Sequence, residues 1–206
     1  MVITIVDYGM GNLGSIINML KRIGAEGQIS ADGDEIRKAE KIVLPGIGAF
    51  DAGMRKLHEL GLVEILNELV LKQKIPTLGV CLGMQLLTRS SEEGSLEGLG
   101  WIDARTIRFT IDSADTELKV PHMGWNNISV LKRYPLFGNL DQGARFYFVH
   151  SYHVVCSQEE DIAATANYGV EFVAAVQKQN IFGVQFHPEK SHKYGMSVLR
   201  AFAESA

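Results

Sequence analysis

The sequence predicts an α/β protein: a central, mostly parallel sheet with helices on both faces and an antiparallel extension. Three observations lead there. Short apolar runs alternate with helix-length segments as far as Ser90. Beyond Gly100 the chain turns to short strand-like runs, many with alternating polarity. One helical segment closes it.

The elements follow in order. Ile3–Val6 is β-branched throughout and apolar but for Thr4, as suits a strand covered on both faces. Asn12–Ile23 reads as a helix, opened by an asparagine cap and stopped at Gly24. Gln28–Ser30 is a short second strand. Lys41–Leu44, "KIVL", is a third, ended by Pro45 and Gly46. Phe50–Lys74 reads as helical with an interruption near Gly61. Pro76–Val80, "PTLGV", is a fourth strand, and a helix is expected over Gly83–Ser90. The later strands are "ARTIRF", "WNNISV", "ARFYFVHSYHVV", "IAATANY", "FVAAV" and "IFGVQF", and His192–Ala203 is the closing helix. No linker, repeat or low-complexity stretch divides the chain, so one domain over residues 1–206 is expected.

Composition narrows the function classes. The 206 residues are 46% hydrophobic, enough for a packed core. A net charge of −4 without a long basic run argues against nucleic acid and anionic membranes as partners. The first apolar run is short and meets Asp7, unlike a signal peptide or a membrane span. Two cysteines, Cys81 and Cys156, make no disulfide framework, so a reducing cytoplasm is the expected setting. Cys156, in "HVVCSQ", is expected to be a packed strand residue.

Gly9-x-Gly11-x-x-Gly14 after the first strand, with Asp32 further on, approaches the dinucleotide fingerprint. Asp7 and Tyr8 separate that strand from Gly9, however, and an unpaired carboxylate would repel a pyrophosphate. A tight glycine turn capped by Asn12 is the better reading.

"PTLGVCLGMQLL" carries the chemistry. Cys81 falls where a strand meets a helix, with Gly79 and Gly83 at the flanking positions of a nucleophile elbow, where larger residues would clash across the turn. A helix N-terminus behind the sulfur favours thiolate, and the Leu82 N–H can donate to an oxyanion. A thiolate needs a base and an orienter. Of the six histidines, His58 and His192 fall on helical segments and His122, His150 and His153 beside strands. His187 ends the apolar run Ile181–Phe186 in "GVQFHPEKS"; in an extended chain Glu189 would project beside it and hold the imidazole. The triad expected is therefore Cys81, His187 and Glu189.

The elbow "GVCLGMQ" with the later "HPE" resembles the class I glutamine amidotransferase family. "PGIGAF", "VPHMGWN", "FYFVHSY" and "FHPEKS" narrow the resemblance to its branch of imidazole glycerol phosphate synthase glutaminase subunits, and the match runs through nearly the whole chain. It implies a three-layer, flavodoxin-like fold. It implies L-glutamine as substrate: Cys81 attacks the side-chain amide, His187 carries the proton, Glu189 orients it, and water hydrolyses the thioester after ammonia leaves. Ile47 and Leu82 would supply oxyanion-hole amides. Gly46, Gly48, Gln85, Glu93, His150, Ser151 and Tyr152 would hold the glutamine, with Glu93 answering its ammonium and Gln85 on the elbow's helix face. No cofactor or metal is implied. Asn12, His122, Trp125, Tyr147 and Lys190 would lie at or near the interface with a cyclase/synthase subunit of (β/α)₈ fold, joined as a heterodimer and fed with ammonia for histidine biosynthesis.

Other readings stay open at this level. The same glutaminase chemistry could feed a surface-polysaccharide sugar amidotransferase. Cys–His hydrolases and peptidases of related fold lack the "HPEKS" and "PHMGWN" set, and a non-catalytic dinucleotide-binding module is the remaining class. "PGIG" also reads as a switch: presenting the Ile47 N–H requires a peptide orientation that flexible Gly46 tolerates and β-branched Ile47 resists at positive φ.

Overall fold

The computed structural model describes residues 2–110, 118–141 and 143–205. Its first half alternates: β1 (Val2–Val6), α1 (Leu13–Arg22), β2 (Glu26–Ser30), α2 (Gly33–Ile36), β3 (Lys41–Leu44), α3 (Phe50–Glu59), α4 (Leu62–Asn67), β4 (Thr77–Val80) and α5 (Leu82–Leu86). Then come β5 (Ser90–Ser91), β6 (Ala104–Arg108), β7 (His122–Asn127), β8 (Ser129–Val130), β9 (Arg145–His150), β10 (Tyr152–Cys156), β11 (Ile162–Tyr168), β12 (Val170–Lys178), β13 (Ile181–Val184) and α6 (His192–Glu204).

Several expected boundaries move; "WNNISV" divides into β7 and β8, which belong to different sheets, and "ARFYFVHSYHVV" into β9 and β10. The helix after Cys81 stops at Leu86, short of Ser90, which instead opens β5. The Thr88 hydroxyl bonds back to the Gln85 carbonyl at 2.8 Å, and Arg89 N–H turns away to Ala104 O at 2.9 Å. The long segment from Phe50 does break near Gly61, which takes φ 64°, a left-handed value suited to glycine. Beyond α4 it widens into a π-helical turn over Glu68–Lys72, so regular helix ends before Lys74.

β2, β1, β3, β4 and β13 run parallel in that order. β12, β10 and β6 continue the sheet antiparallel, and β11 joins beside β12 with β8 beyond it. β7 and β9 pair separately, antiparallel. The step that matters for the site is β13. It comes from the far end of the sequence, yet it lies parallel against β4, with Val184 opposite Val80.

Alternation along the strands separates two cores. Ile3, Ile5, Val43 and Val80 face α1 and α6, packing on Ile16, Leu20, Leu199 and Phe202. Val6, Ile42 and Leu44 face the other side, where α3, α4 and α5 supply Met54, Leu57, Leu66 and Leu86. The result is three layers, helix–sheet–helix. Lys41, a cation in an apolar strand, is buried; its ammonium donates to the carbonyls of Phe202 at 2.7 Å and Ala203 at 2.9 Å, clamping the end of α6 onto β3. Among the described residues, no helix is long and apolar enough to cross a membrane.

Candidate active site

Cys81 sits between β4 and α5 at φ 55° and ψ −111°, a conformation costing a non-glycine residue about 1–3 kcal/mol. The glycines around it make room. A Cβ on Gly79 would stand 2.7 Å from Gly83 O, the clash across the turn that the sequence predicts. A Cβ on Gly83 would stand 1.8 Å from Leu44 O, so that glycine also lets the elbow press against the end of β3. Cys81 N–H donates to Val184 O at 2.8 Å, and its carbonyl accepts from Met84 and Gln85 as α5 begins. Leu82, the first residue of α5, has no intrahelical partner for its N–H.

His187 and Glu189 meet beside the elbow. His187 Nδ1 lies 2.8 Å from Glu189 Oε1, with side chains only 1% and 3% exposed. They do not meet along an extended strand. Pro188–Lys190 forms a single 3₁₀ turn with Pro188 at its start, where its missing N–H costs nothing, and the turn folds Glu189 back under the ring. That turn is stitched to β9: His187 N–H donates to Tyr147 O at 2.9 Å, the Ser191 hydroxyl donates to His187 O at 2.6 Å, and Tyr147 N–H donates to Ser191 Oγ at 3.0 Å. Burial pulls the imidazole pKa down, but hydrogen bonding and charge from Cys81 and Glu189 outweigh it and raise it to about 10. Among the described residues His187 Nε2 is buried with no hydrogen-bond partner, and the charge of the neighbouring Cys81 is among the causes that raise the ring's pKa.

Cys81 and His187 open onto a cavity of about 490 Å³. Ile47, Gly48, Leu82, Gln85, Glu93, His150, Ser151 and Tyr152 line it, as do Ala49, Pro121 and Val149, which lie inside the quoted motifs but carry no reactive group to single them out. Gly46 stands apart from the cavity wall. A Cβ there would meet Tyr8 Oη at 2.7 Å and Leu82 Cβ at 2.8 Å, so Gly46 serves close packing under the elbow. Glu93 is steadied from two sides: its Oε2 accepts from Phe50 N–H at 2.8 Å, and Asp51 holds the following loop through Ser95 and Leu96 N–H at 3.0 Å.

Gln185 is the functional-looking residue that sequence reasoning passed over. Its signal was present: a polar side chain inside the apolar run "IFGVQF", two positions before His187. It is fully buried, and its Nε2 lies 3.7 Å from Cys81 Sγ. Its Oε1 accepts from Gln85 Nε2 at 3.0 Å, and Gln85 Nε2 also lies 3.2 Å from Tyr152 O.

The partner-facing candidates divide. Trp125 and Tyr147 stand opposite each other on β7 and β9 with ring centroids 6.2 Å apart. Half-exposed Trp125 stacks on His192 at 5.4 Å, and the exposed Lys190 reaches 5.6 Å from the Tyr147 ring. These residues share one aromatic and cationic patch. Asn12 is exposed and caps α1, accepting from Ser15 N–H at 3.3 Å. His122 differs: it is only 2% exposed, its Nδ1 3.1 Å from His150 Nε2, so it points at the cavity wall and not out of the surface. Burial lowers the pKa of His122 to about 4 and of His150 to about 3, so both stay neutral.

The glycine turn faces this protein's own loop. The buried Tyr8 hydroxyl donates to Pro45 O at 2.5 Å, and a Cβ on Gly11 would stand 3.1 Å from Pro45 Cβ. Asp32 accepts from Asp34 and Glu35 N–H as the cap of α2. The features that resembled a dinucleotide fingerprint are thus spent on the "PGIG" loop and a helix cap. Among the described residues, no cluster of His, Cys, Asp or Glu is arranged to hold a metal ion.

Residues 4–206 match the family model described as glutamine amidotransferase class-I. The chain is 52% identical over 204 residues to the imidazole glycerol phosphate synthase subunit HisH 2 of Methanococcus maripaludis, covering 99% of this chain and 100% of that one. It is 50% identical to the protein of the same name from Pseudomonas aeruginosa, covering 98% of each. Among solved structures, a glutamine amidotransferase from Thermotoga maritima superimposes with a TM-score of 0.71 at 14% identity, covering 99% of this chain and 98% of that one, a likeness of fold.

Proposed function

The chain belongs to the class I glutamine amidotransferases, and on that premise we propose that it is the glutaminase subunit of an imidazole glycerol phosphate synthase. It hydrolyses L-glutamine to glutamate and ammonia and passes the ammonia to a (β/α)₈ synthase subunit for histidine biosynthesis. The observation that carries the reading is the elbow cysteine, held at φ 55° at the mouth of a cavity it shares with the buried His187–Glu189 pair.

The chemistry follows from those positions. Cys81 Sγ, as thiolate opposite the His187 imidazolium, attacks the glutamine amide carbon. The Leu82 and Ile47 N–H groups steady the oxyanion, a contribution whose loss typically costs about 10²–10³ in kcat. His187 Nε2 gives its proton to the departing ammonia, then draws one from the water that hydrolyses the thioester. Glu93 faces the substrate ammonium, and Gly48, Gln85 and residues 150–152 surround the rest. The patch of Trp125, Tyr147 and Lys190, with Asn12 near the turn, meets the synthase; aromatic residues of this kind are common interface anchors. His122 contributes from beneath, by holding His150.

Full-length identity of about half to histidine-pathway subunits favours this partner over a sugar amidotransferase. The test is glutamine turnover and ammonia transfer with each purified partner class. Activation by the barrel synthase with its nucleotide acceptor is expected, with Cys81→Ala abolishing hydrolysis while still binding the partner. Substantial turnover in Cys81→Ala, or transfer only to a sugar acceptor, overturns the reading.

A further inference from the structure

We propose that Gln185 belongs to the glutaminase machinery, its side-chain amide donating a hydrogen bond to the Cys81 sulfur and holding it, as thiolate, aimed into the cavity. This rests on the glutaminase reading of the site and deepens it. The direction of the hydrogen bonds follows from chemistry. Tyr152 O is a carbonyl and can only accept, so the Gln85 amide must turn its NH₂ toward it at 3.2 Å. The same NH₂ reaches Gln185 at 3.0 Å, which must therefore present its oxygen there. Only the NH₂ of Gln185 is then left for the sulfur, at 3.7 Å. The relay runs one way, from Gln85 through Gln185 to Cys81, and ends in a donor on the nucleophile.

Burial and placement give the relay its force. Gln185 is 0% exposed, and the Gln185–Gln85 pair lies in the interior, where a polar side chain is kept only if its hydrogen bonds are made. Its backbone N–H donates to Ala174 O at 2.9 Å, pinning the residue between β12 and the triad turn. Gln185 is not among the residues lining the cavity, so it touches the sulfur and not the glutamine. His187 supplies the charge opposite the thiolate; Gln185 supplies a neutral donor from just past the end of β13, which selects the sulfur's orientation. Gln85 acquires a second duty, as the residue that sets the Gln185 amide.

The test uses a Cys156→Ser background, in which Cys81 is this chain's sole thiol, and alkylation is read on this chain after separation from its partner. Alkylation by iodoacetamide is followed against pH for the parent, Gln185→Met and the isosteric Gln185→Glu, each in complex with its synthase. Glutamine kinetics are measured alongside. Hydrogen bonds to charged groups predict that Gln185→Met raises the thiolate midpoint by about one pH unit and lowers kcat about tenfold to hundredfold. KM should stay within about twofold, because the residue does not meet substrate. Gln185→Glu replaces the donor by an acceptor and should shift the midpoint further. Alkylation needs no glutamine turnover: an inactive parent would sink the glutaminase reading while leaving this result legible. Folded variants that titrate like the parent, a rise in KM with kcat unchanged, or loss of folding in both variants each overturn the role assigned to Gln185.

Discussion

His187 and Glu189 show how burial ties a common pair of side chains together. Both side chains are almost fully enclosed, 2.8 Å apart, and among the described residues Glu189 Oε2 is buried without a partner. A carboxylate so placed is tolerated because the imidazolium beside it is charged. Glu189→Gln keeps an acceptor for Nδ1 but removes that charge, so it should lower kcat while leaving measurable activity. His187→Asn removes the proton carrier itself and should cost about 10²–10⁴ in kcat. Steady-state turnover of the two variants checks the ranking; the reverse order would point to another of the histidines as base. The identity of this pair was legible in "HPEKS". Gln185 was legible only as an oddity, because nothing local says which atom a buried amide will meet.

The triad turn depends on how closely α6 approaches it. A Cβ on Gly195 would stand 1.9 Å from Pro188 O. Gly195→Ala should therefore push the Pro188–Lys190 turn off the elbow, costing about 1–3 kcal/mol of stability and lowering kcat with little change in KM. Gly14 is the control. Its added Cβ meets nothing within 4 Å, and it lies in α1. Gly14→Ala should stabilise the isolated chain by up to about 1 kcal/mol, although Gly14 completes the glycine pattern. Thermal melts and glutamine kinetics of the two variants decide it; equal effects would break the argument. Most element positions could be read from periodicity and turn residues. The short α5 and the 3₁₀ turn at Pro188 could not, since side-chain hydrogen bonds from Thr88 and Ser191 shape them.

Across the whole molecule, three buried histidines set an acid limit. Burial holds His122, His150 and His153 below their ordinary pKa. Below about pH 6.5 the unfolded chain binds protons that these folded sites refuse, so stability falls as pH drops toward the folded value of about 4 for His122. Each such site steepens the loss by up to about 1.4 kcal/mol per pH unit. His122→Asn should be less stable near neutrality yet lose less between about pH 6.5 and 4.5, as urea midpoints would record; an unchanged slope would exclude His122 from the effect. His187 works with the opposite sign: its stabilising charge is present at neutral pH and is lost as pH rises through about 10. Partner control belongs to this scale too. The "PGIG" loop is held on one side by Tyr8 and meets the cavity through Ile47 and Gly48. The isolated chain should turn over glutamine at least about 10²-fold more slowly than the liganded complex if Ile47 is a switched oxyanion donor; rates within about threefold would refute the switch.

The sequence by itself determined the α/β class, the glycines that permit a strained cysteine, and the residue types of the proposed triad. These are local matters: a backbone turn tolerates only certain side chains, and a stretch as short as "HPE" carries its own residue types. Only the tertiary structure decided that β13 lies parallel beside β4. That one pairing, across about half the chain, brings Gln185 and His187, just past the end of β13, beside the elbow cysteine. It also decided that His122 points inward and that the glycine turn closes on Pro45. Such contacts join residues far apart in sequence, and they are set by packing of the whole sheet, which no short stretch encodes.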